Sequence, residues 1–445
     1  MSSRAAVADS VVGAAAERSG LWLPRLGVLL GLLGVVSAAW YANSRPSAEP
    51  TAPVATASER PPDTRIGGRV VLGSNSLFAG IPGGAKLSIQ EIRDWLDDPK
   101  NHEPLDFELP LWLRASRDEL KIPANDPLTR AKIELGRQLF VESRFTDGGL
   151  DCVTCHAPTQ HFTRAAVFTE HKNAPTMLNR ILSTHQFWDG RAASLEHQIE
   201  FPVRHPQEMN TTPEDCEQRL SATEGYRMQF EGIYGEVSYL NMTKAIAAFE
   251  RALVTGPAAY DYHVVLEQFA NRDRSTFTPE EQAQYDEAAA GAKRTPFSPA
   301  AERGRELFFS DRTGCSNCHS GPNFTDEQFH NLGLGAGRQY LHEFGGFYIP
   351  DDGRYRVTNV EADYAAFKTP SLRNVKETTP FMHDGSLGTL PDVVEFLVAG
   401  GRPNKNLSPL IQKLDLGPTE IQDLVAFLEA LSGDVPVVAM DHLPE

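Results

Sequence analysis

Apolar residues recur at helical spacing through most of the chain. In "NDPLTRAKIELGRQLFVE" they fall at Leu128, Ile133, Leu135, Leu139 and Phe140, a stripe that predicts a helix capped by Asp126 or Thr129. An earlier helix is expected from Ser88, an N-cap residue type, to about Asp98. Similar patterns predict helices at 194–201, 213–222, 242–254 ("MTKAIAAFERALV"), 279–292, 299–309, 391–399 and 418–431. No alternating run is long enough for a strand of more than a few residues. The expected fold class is mainly α with long loops, in keeping with 35 Gly and 31 Pro.

The N-terminus has a different pattern. Residues 26–42, "LGVLLGLLGVVSAAWYA", are an apolar run of 17, at the short end of what spans a bilayer. Arg4, Arg18 and Arg25 precede it, and Trp40 and Tyr41 sit at its far end. That arrangement keeps residues 1–25 in the cytoplasm and reads as a transmembrane anchor. The alternative is a cleaved signal peptide ending at the small residues Ser37, Ala38 and Ala39. Both readings export the chain beyond about residue 43. A Pro-rich linker at 43–62 comes next, then a mostly irregular extension at 63–125, expected to wrap against the adjoining domain.

Beyond the extension the chain repeats itself. "GRQLFVESRFTDGGLDCVTCH" and "GRELFFSDRTGCSNCH" each join the end of a helix to Cys-x-x-Cys-His, and Phe162-Thr163 or Phe324-Thr325 comes after. The repeat divides the remainder into units at 126–297 and 298–433, with a tail at 434–445. Cys152, Cys155 and His156, then Cys315, Cys318 and His319, have the spacing of covalent haem attachment. Two thiols about one turn apart can form thioethers with one haem, and the next imidazole then falls beneath the iron. A redox dithiol needs no His, and a shared zinc site would have to join pairs 163 positions apart. Two c-type haems are therefore expected, one per unit. Cys216, the fifth cysteine, reads as a free thiol or packing residue.

Formal net charge is −17, with 59 acidic against 42 basic residues. This excludes a nucleic-acid partner, which needs a basic face, and suits a basic protein partner.

The phrases between the repeats add a resemblance. "NAPTMLNRILSTHQFWDGRAASLEHQIEFPVRHPQEM" and "FKTPSLRNVKETTPFMHDGSLGTLPDVVEFLVAGG" resemble, in this order, segments of the bacterial dihaem cytochrome c peroxidases and their MauG branch. The resemblance covers roughly residues 120–433. It implies two cytochrome c-type domains in tandem, export to the periplasmic side, and hydrogen peroxide as substrate. It makes the first haem the peroxide-reacting one, with His156 proximal, Gln198 and Glu208 in the distal pocket and Pro202 beside the distal face. Chemistry asks for such a pair, since O–O cleavage needs a group that takes a proton and returns it. Read without the resemblance, Gln198 and Glu208 would be surface residues. Trp188 falls between the haems, where it carries an electron or simply packs. Asn173, with Thr378 and Pro380 through their carbonyls, matches calcium ligands, and oxygen-only ligation suits a hard cation.

Two features depart from the resemblance. The peroxidases carry a distal His in the loop between Cys155 and Asn173; His161 and His171 lie there, and neither aligns cleanly. The second haem's distal ligand is Met in the peroxidases and Tyr in MauG, fourteen residues after the His of "HDG"; here that position is Leu397, which cannot bind iron. Met382, Met440 and His442 are the other candidates for that role. Three functions compete. One is a peroxidase fed by a small donor such as a cytochrome c or a cupredoxin. Another is a MauG-like enzyme that oxidises Trp or Tyr of a partner protein. The last is a membrane-tethered electron carrier, which would need no acid–base pair.

Overall fold

The computed structural model describes residues 65–66, 69–147, 149–164, 172–335 and 351–445. The apolar segment 26–42, the linker 43–62 and His171 lie outside the described residues. Among the described residues no helix is long and apolar enough to cross a membrane. They are predominantly helical: α1 (Ile89–Leu96), α2 (Arg130–Phe140), α3 (Leu195–Arg204), α4 (Pro213–Ala222), α5 (Glu224–Tyr234), α6 (Tyr239–Ala252), α7 (Ala259–Phe269), α8 (Pro279–Arg294), α9 (Pro299–Phe308), α10 (Tyr355–Thr358), α11 (Leu390–Val398) and α12 (Pro418–Glu429). The described strands are two or three residues long, as the missing alternation requires.

Local chemistry starts these helices. Ser88 caps α1 with Glu91 in a reciprocal capping box, and Thr129 caps α2 by accepting from the Lys132 amide. Asp126, the other candidate cap, is instead paired with the Lys132 ammonium. Ser238 starts α6 three residues ahead of the expected 242. Helices α5 and α7 go beyond the expected set, although Tyr226 and Phe230, then Tyr262, Val265 and Phe269, put an apolar stripe on each.

The two repeats share one frame. Helices α2 and α6 cross so closely at Gly136 that a Cβ there would lie 1.9 Å from the Ala245 carbonyl oxygen. Helices α9 and α12 repeat the crossing at Gly304, where a Cβ would lie 1.9 Å from the Asp423 carbonyl oxygen. Three phenylalanines surround each crossing. Phe140 packs on Phe249 (ring centroids 5.1 Å) and Phe162 (6.3 Å); Phe308 packs on Phe427 (5.0 Å) and Phe324 (6.1 Å).

The extension does wrap onto this frame. Its Leu72, Phe78, Leu109 and Leu113 share a core with Ile133, Phe140 and Phe249. The tail returns to the same place, where a strand at Leu443–Pro444 pairs in parallel with one at Lys86–Leu87. Fully buried Arg137 holds it there, donating to the carbonyls of Ala439, Asp441 and His442 while bound to Glu134 at 2.8 Å. The two units meet through a short antiparallel strand pair, Phe329–His330 with Phe367–Lys368, whose Lys368 amide donates to the Trp188 carbonyl.

Candidate active site

Each Cys-x-x-Cys-His opens on a single tight helical turn. Asp151 caps the first by accepting from the Thr154 amide and hydroxyl. Gly314, at φ +62°, starts the second, a backbone conformation glycine adopts without strain. The turn carries each histidine back over its first cysteine, with the His156 amide 2.8 Å from the Cys152 carbonyl and His319 3.0 Å from that of Cys315. His156 Nδ1 then donates to the Phe162 carbonyl at 3.1 Å, and His319 Nδ1 to the Phe324 carbonyl at 2.9 Å. The proton is thereby fixed on Nδ1 and the Nε2 lone pair is left for a metal. Burial lowers the proton affinity of both rings, which keeps them neutral. All four cysteine sulfurs are available for thioether bonds. Neither pair forms a disulfide. Two thiols and a neutral imidazole with a free Nε2 fit covalent haem in each unit.

In the first unit these groups border a cavity of about 580 Å³. Gln198 and Pro202, on α3, and Glu208, in the turn after it, line the same cavity. Pro202 lacks the amide hydrogen that would satisfy the Gln198 carbonyl, so the hydrogen-bond ladder of α3 misses one rung at the cavity wall. Glu208 approaches His205 Nδ1 at 3.7 Å and lies close enough to Cys155 for its charge to raise that thiol. Trp188 lines the cavity and stands on the seam between the units. Its indole donates to the Asn173 carbonyl at 2.8 Å, and its carbonyl accepts from Lys368 at 2.8 Å.

Asn173 reaches across the same seam. Its amide hydrogen bonds the His383 carbonyl at 2.8 Å, and its side-chain nitrogen bonds the Pro380 carbonyl. Its Oδ1 is buried with no hydrogen-bond partner among the described residues. Turning the side-chain amide over would direct that orphaned oxygen to where Pro380 presents its own, the donor set of a hard cation. Thr378 lies two residues before Pro380, after the turn 375–377.

The remaining ligand candidates separate clearly. His161 does not line the first cavity; its carbonyl accepts from Thr176 on the loop beneath His156. Met440 and His442 are excluded from the second haem because both belong to the tail clamped on the first unit, where Met440 packs against the core around Phe140. Met382 sits on the seam, its carbonyl 3.5 Å from the Asn173 side chain. Leu390, Val393, Val394 and Val398 of α11 pack into the second unit's core with Cys315, while Leu397, half-buried at the end of that helix, does not join that core. Cys216 is fully buried in the first unit's core, its thiol pushed up to about 11 by burial and directed at the Phe145 carbonyl at 3.9 Å.

Arg180 and Glu250 also border the cavity, without a motif in the sequence that marks them. Arg180 lies deep in the protein with part of its surface turned to the cavity, bonded to the neutral acceptors Gln186 Oε1 and the His185 carbonyl. Glu250, on α6, is 3 % exposed and also lines the cavity. The available signal was its spacing, four residues after Ile246 on the inner stripe.

Known proteins share this arrangement. A profile of the family described as di-haem cytochrome c peroxidase matches residues 130–268, within the first unit. The chain is 35 % identical to the methylamine utilization protein MauG of Methylorubrum extorquens over 72 % of its own length and 84 % of that protein. It is 31 % identical to the cytochrome c551 peroxidase of Nitrosomonas europaea over 73 % of its length and 86 % of that protein. Among solved structures, a MauG-like protein associated with microbial copper homeostasis superposes with a TM-score of 0.58 at 25 % identity, covering 71 % of this chain and 93 % of that one. The dihaem peroxidase BthA of Burkholderia thailandensis shares the fold, with a TM-score of 0.53 at 20 % identity over 69 % of this chain and 87 % of that one. The tandem haem-binding units and these relatives together identify the chain as an oxidoreductase with two c-type haems, belonging to the dihaem cytochrome c peroxidase and MauG family.

Proposed function

We propose that the chain reduces hydrogen peroxide in the first unit, residues 126–297, with electrons delivered by a small donor protein through the second unit, residues 298–433. The observation that carries this reading is the shared cavity: Gln198 and Glu208 line the same space as Cys152, Cys155 and His156. A haem held there by Cys152, Cys155 and His156 would supply the redox chemistry that peroxide reduction needs. His156 presents a neutral Nε2, Gln198 orients the peroxide by hydrogen bond, and Glu208 takes a proton from one peroxide oxygen and returns it to the other. Two electrons and two protons convert each peroxide to two waters. Trp188 connects the units through its bonds to Asn173 and Lys368. A calcium ion held by Asn173, Thr378 and Pro380 would fix that seam, a reading supported by the Asn173 Oδ1, which has no hydrogen-bond partner among the described residues. Residues 26–42 anchor the enzyme with its haem units on the periplasmic side of the membrane.

The test is stopped-flow reaction with peroxide. Glu208→Gln and Gln198→Leu are each expected to lower the rate by about 10²–10⁴-fold with both haems still attached. Near-wild-type kinetics in both variants would remove them from the mechanism. A second reading, oxidation of Trp or Tyr in a partner protein, is favoured by the 35 % identity to a MauG. Rapid turnover with a reduced cytochrome c or cupredoxin supports the first reading. Peroxide consumption without any such donor turnover supports the second.

A further inference from the structure

Glu250 has no part in this peroxide chemistry, yet its position is unusual for a carboxylate. It projects from α6 into the first cavity, four residues after Ile246, which lines the same wall. It is 3 % exposed and makes no hydrogen bond or ion pair among the described residues. The cations nearby are already engaged. Arg251, next along α6, donates to both oxygens of Glu196 on α3, at 2.6 and 3.1 Å, and to the Lys121 carbonyl. Arg180, on the turn 180–182, is held by Gln186 and His185. The fourth neighbour is the Cys152 sulfur, which feels the Glu250 charge. A buried carboxylate without donors is costly in its charged form, and the usual remedy is a proton.

We infer that Glu250 is the redox-linked proton site of the first haem, binding a proton when an electron arrives and releasing it when the electron leaves. This rests on the reading that the first cavity holds a haem. One electron comes from the reduced donor protein by way of the second unit, and one proton comes from solvent water to a Glu250 oxygen. Both leave together on oxidation, so the charge enclosed in the cavity stays constant. Burial supports the role by pushing the Glu250 carboxyl up to about 8; Arg251 and Arg180 pull against that rise and Glu196 adds to it. A group poised there changes protonation when the charge beside it changes by one unit.

The experiment is a spectroelectrochemical titration of the intact two-haem protein at several pH values, resolving the two haem waves. In the wild type the first haem's midpoint potential is expected to fall as pH rises through a window around 8, because the proton that accompanies the electron becomes scarcer. In Glu250→Gln that slope is lost, while Glu208→Gln retains it. A slope that persists in Glu250→Gln, or one abolished by Glu208→Gln instead, overturns the inference, as does a wild-type potential independent of pH. Infrared redox-difference spectra of the wild type give a second readout that needs no variant. A protonated-carboxyl band must change between the oxidised and reduced states, and its absence overturns the inference. Counting haem masses on the denatured chain keeps this failure separate from that of the underlying reading. Only a missing first haem speaks against the latter.

Discussion

The two units build different surroundings on one scaffold. In each, a glycine lets two helices cross, a phenylalanine trio fills the crossing, and a carbonyl from the third phenylalanine orients the haem-binding histidine. Around this common frame the surroundings diverge. The first unit sets Gln198, Glu208 and Glu250 around a cavity of about 580 Å³. The second packs α11 onto α12 through an apolar core that takes in Leu390, Val394, Leu424 and Phe427. The scaffold therefore accounts for holding a haem, and the residues added to it account for reacting or conducting. The repeated arginine shows the same divergence. Arg137 is fully buried against Glu134 and anchors the tail, whereas Arg305 makes part-exposed pairs with Glu302 and Glu267.

The largest expected effect separates the units outright. Cys152→Ser with Cys155→Ser should leave one haem mass on the denatured chain and abolish the reaction with peroxide. Cys315→Ser with Cys318→Ser should also leave one haem mass. In that variant the first haem still meets peroxide, but steady turnover with a protein donor stops. Mass spectrometry counts the haems, and stopped-flow mixing reads the chemistry. Peroxide reactivity that tracks the second pair instead would reverse the assignment of roles.

Stability provides the next comparison. Arg137→Met leaves Glu134 buried without its charge partner and releases three tail carbonyls, a loss on the order of 3–5 kcal/mol. Arg305→Met removes pairs that water already screens, a loss of about 0–1 kcal/mol. Denaturant midpoints of the two variants measure the difference. Equal losses would mean that the tail clamp contributes nothing to the first unit.

The sequence displayed some of this more clearly than the rest, for physical reasons. The helices at Ile133, Leu139 and Phe140 and at the two repeats were legible because amphipathic spacing and capping are local. Gln198 and Glu208 were legible as a pair only through the family phrase; nothing in their spacing alone brings them to one cavity. The tail's return to Arg137 joins residues about 300 positions apart, and no short-range pattern encodes that distance. Glu250 is not legible in the sequence because it lies in a run that reads as ordinary core helix, next to an arginine of opposite charge. The structure gives that arginine to Glu196 instead.

Leu397 makes the smallest energetic change and the sharpest test of the second unit. It comes seven residues after Leu390 and three after Val394, so it continues the inward stripe of α11. Unlike them it is only half-buried, and the second unit's core closes without it. The family resemblance gives this position to the residue that completes the second iron's coordination, and leucine has no lone pair to offer. With Met440 and His442 committed to the first unit, the tail cannot supply a substitute. The expected outcome is a second haem held by His319 alone on the protein side, giving a high-spin signal in electron paramagnetic resonance of the oxidised enzyme. Leu397→Met changes packing by less than about 1.5 kcal/mol, because the two side chains are similar in volume. It adds a thioether, which favours low-spin iron and a higher potential. The second haem's signal should therefore convert to low spin while the first haem's signal and its reaction with peroxide stay as they were. A second haem already low-spin in the wild type and indifferent to the substitution would show that another residue, with Met382 on the seam the first to examine, closes the site.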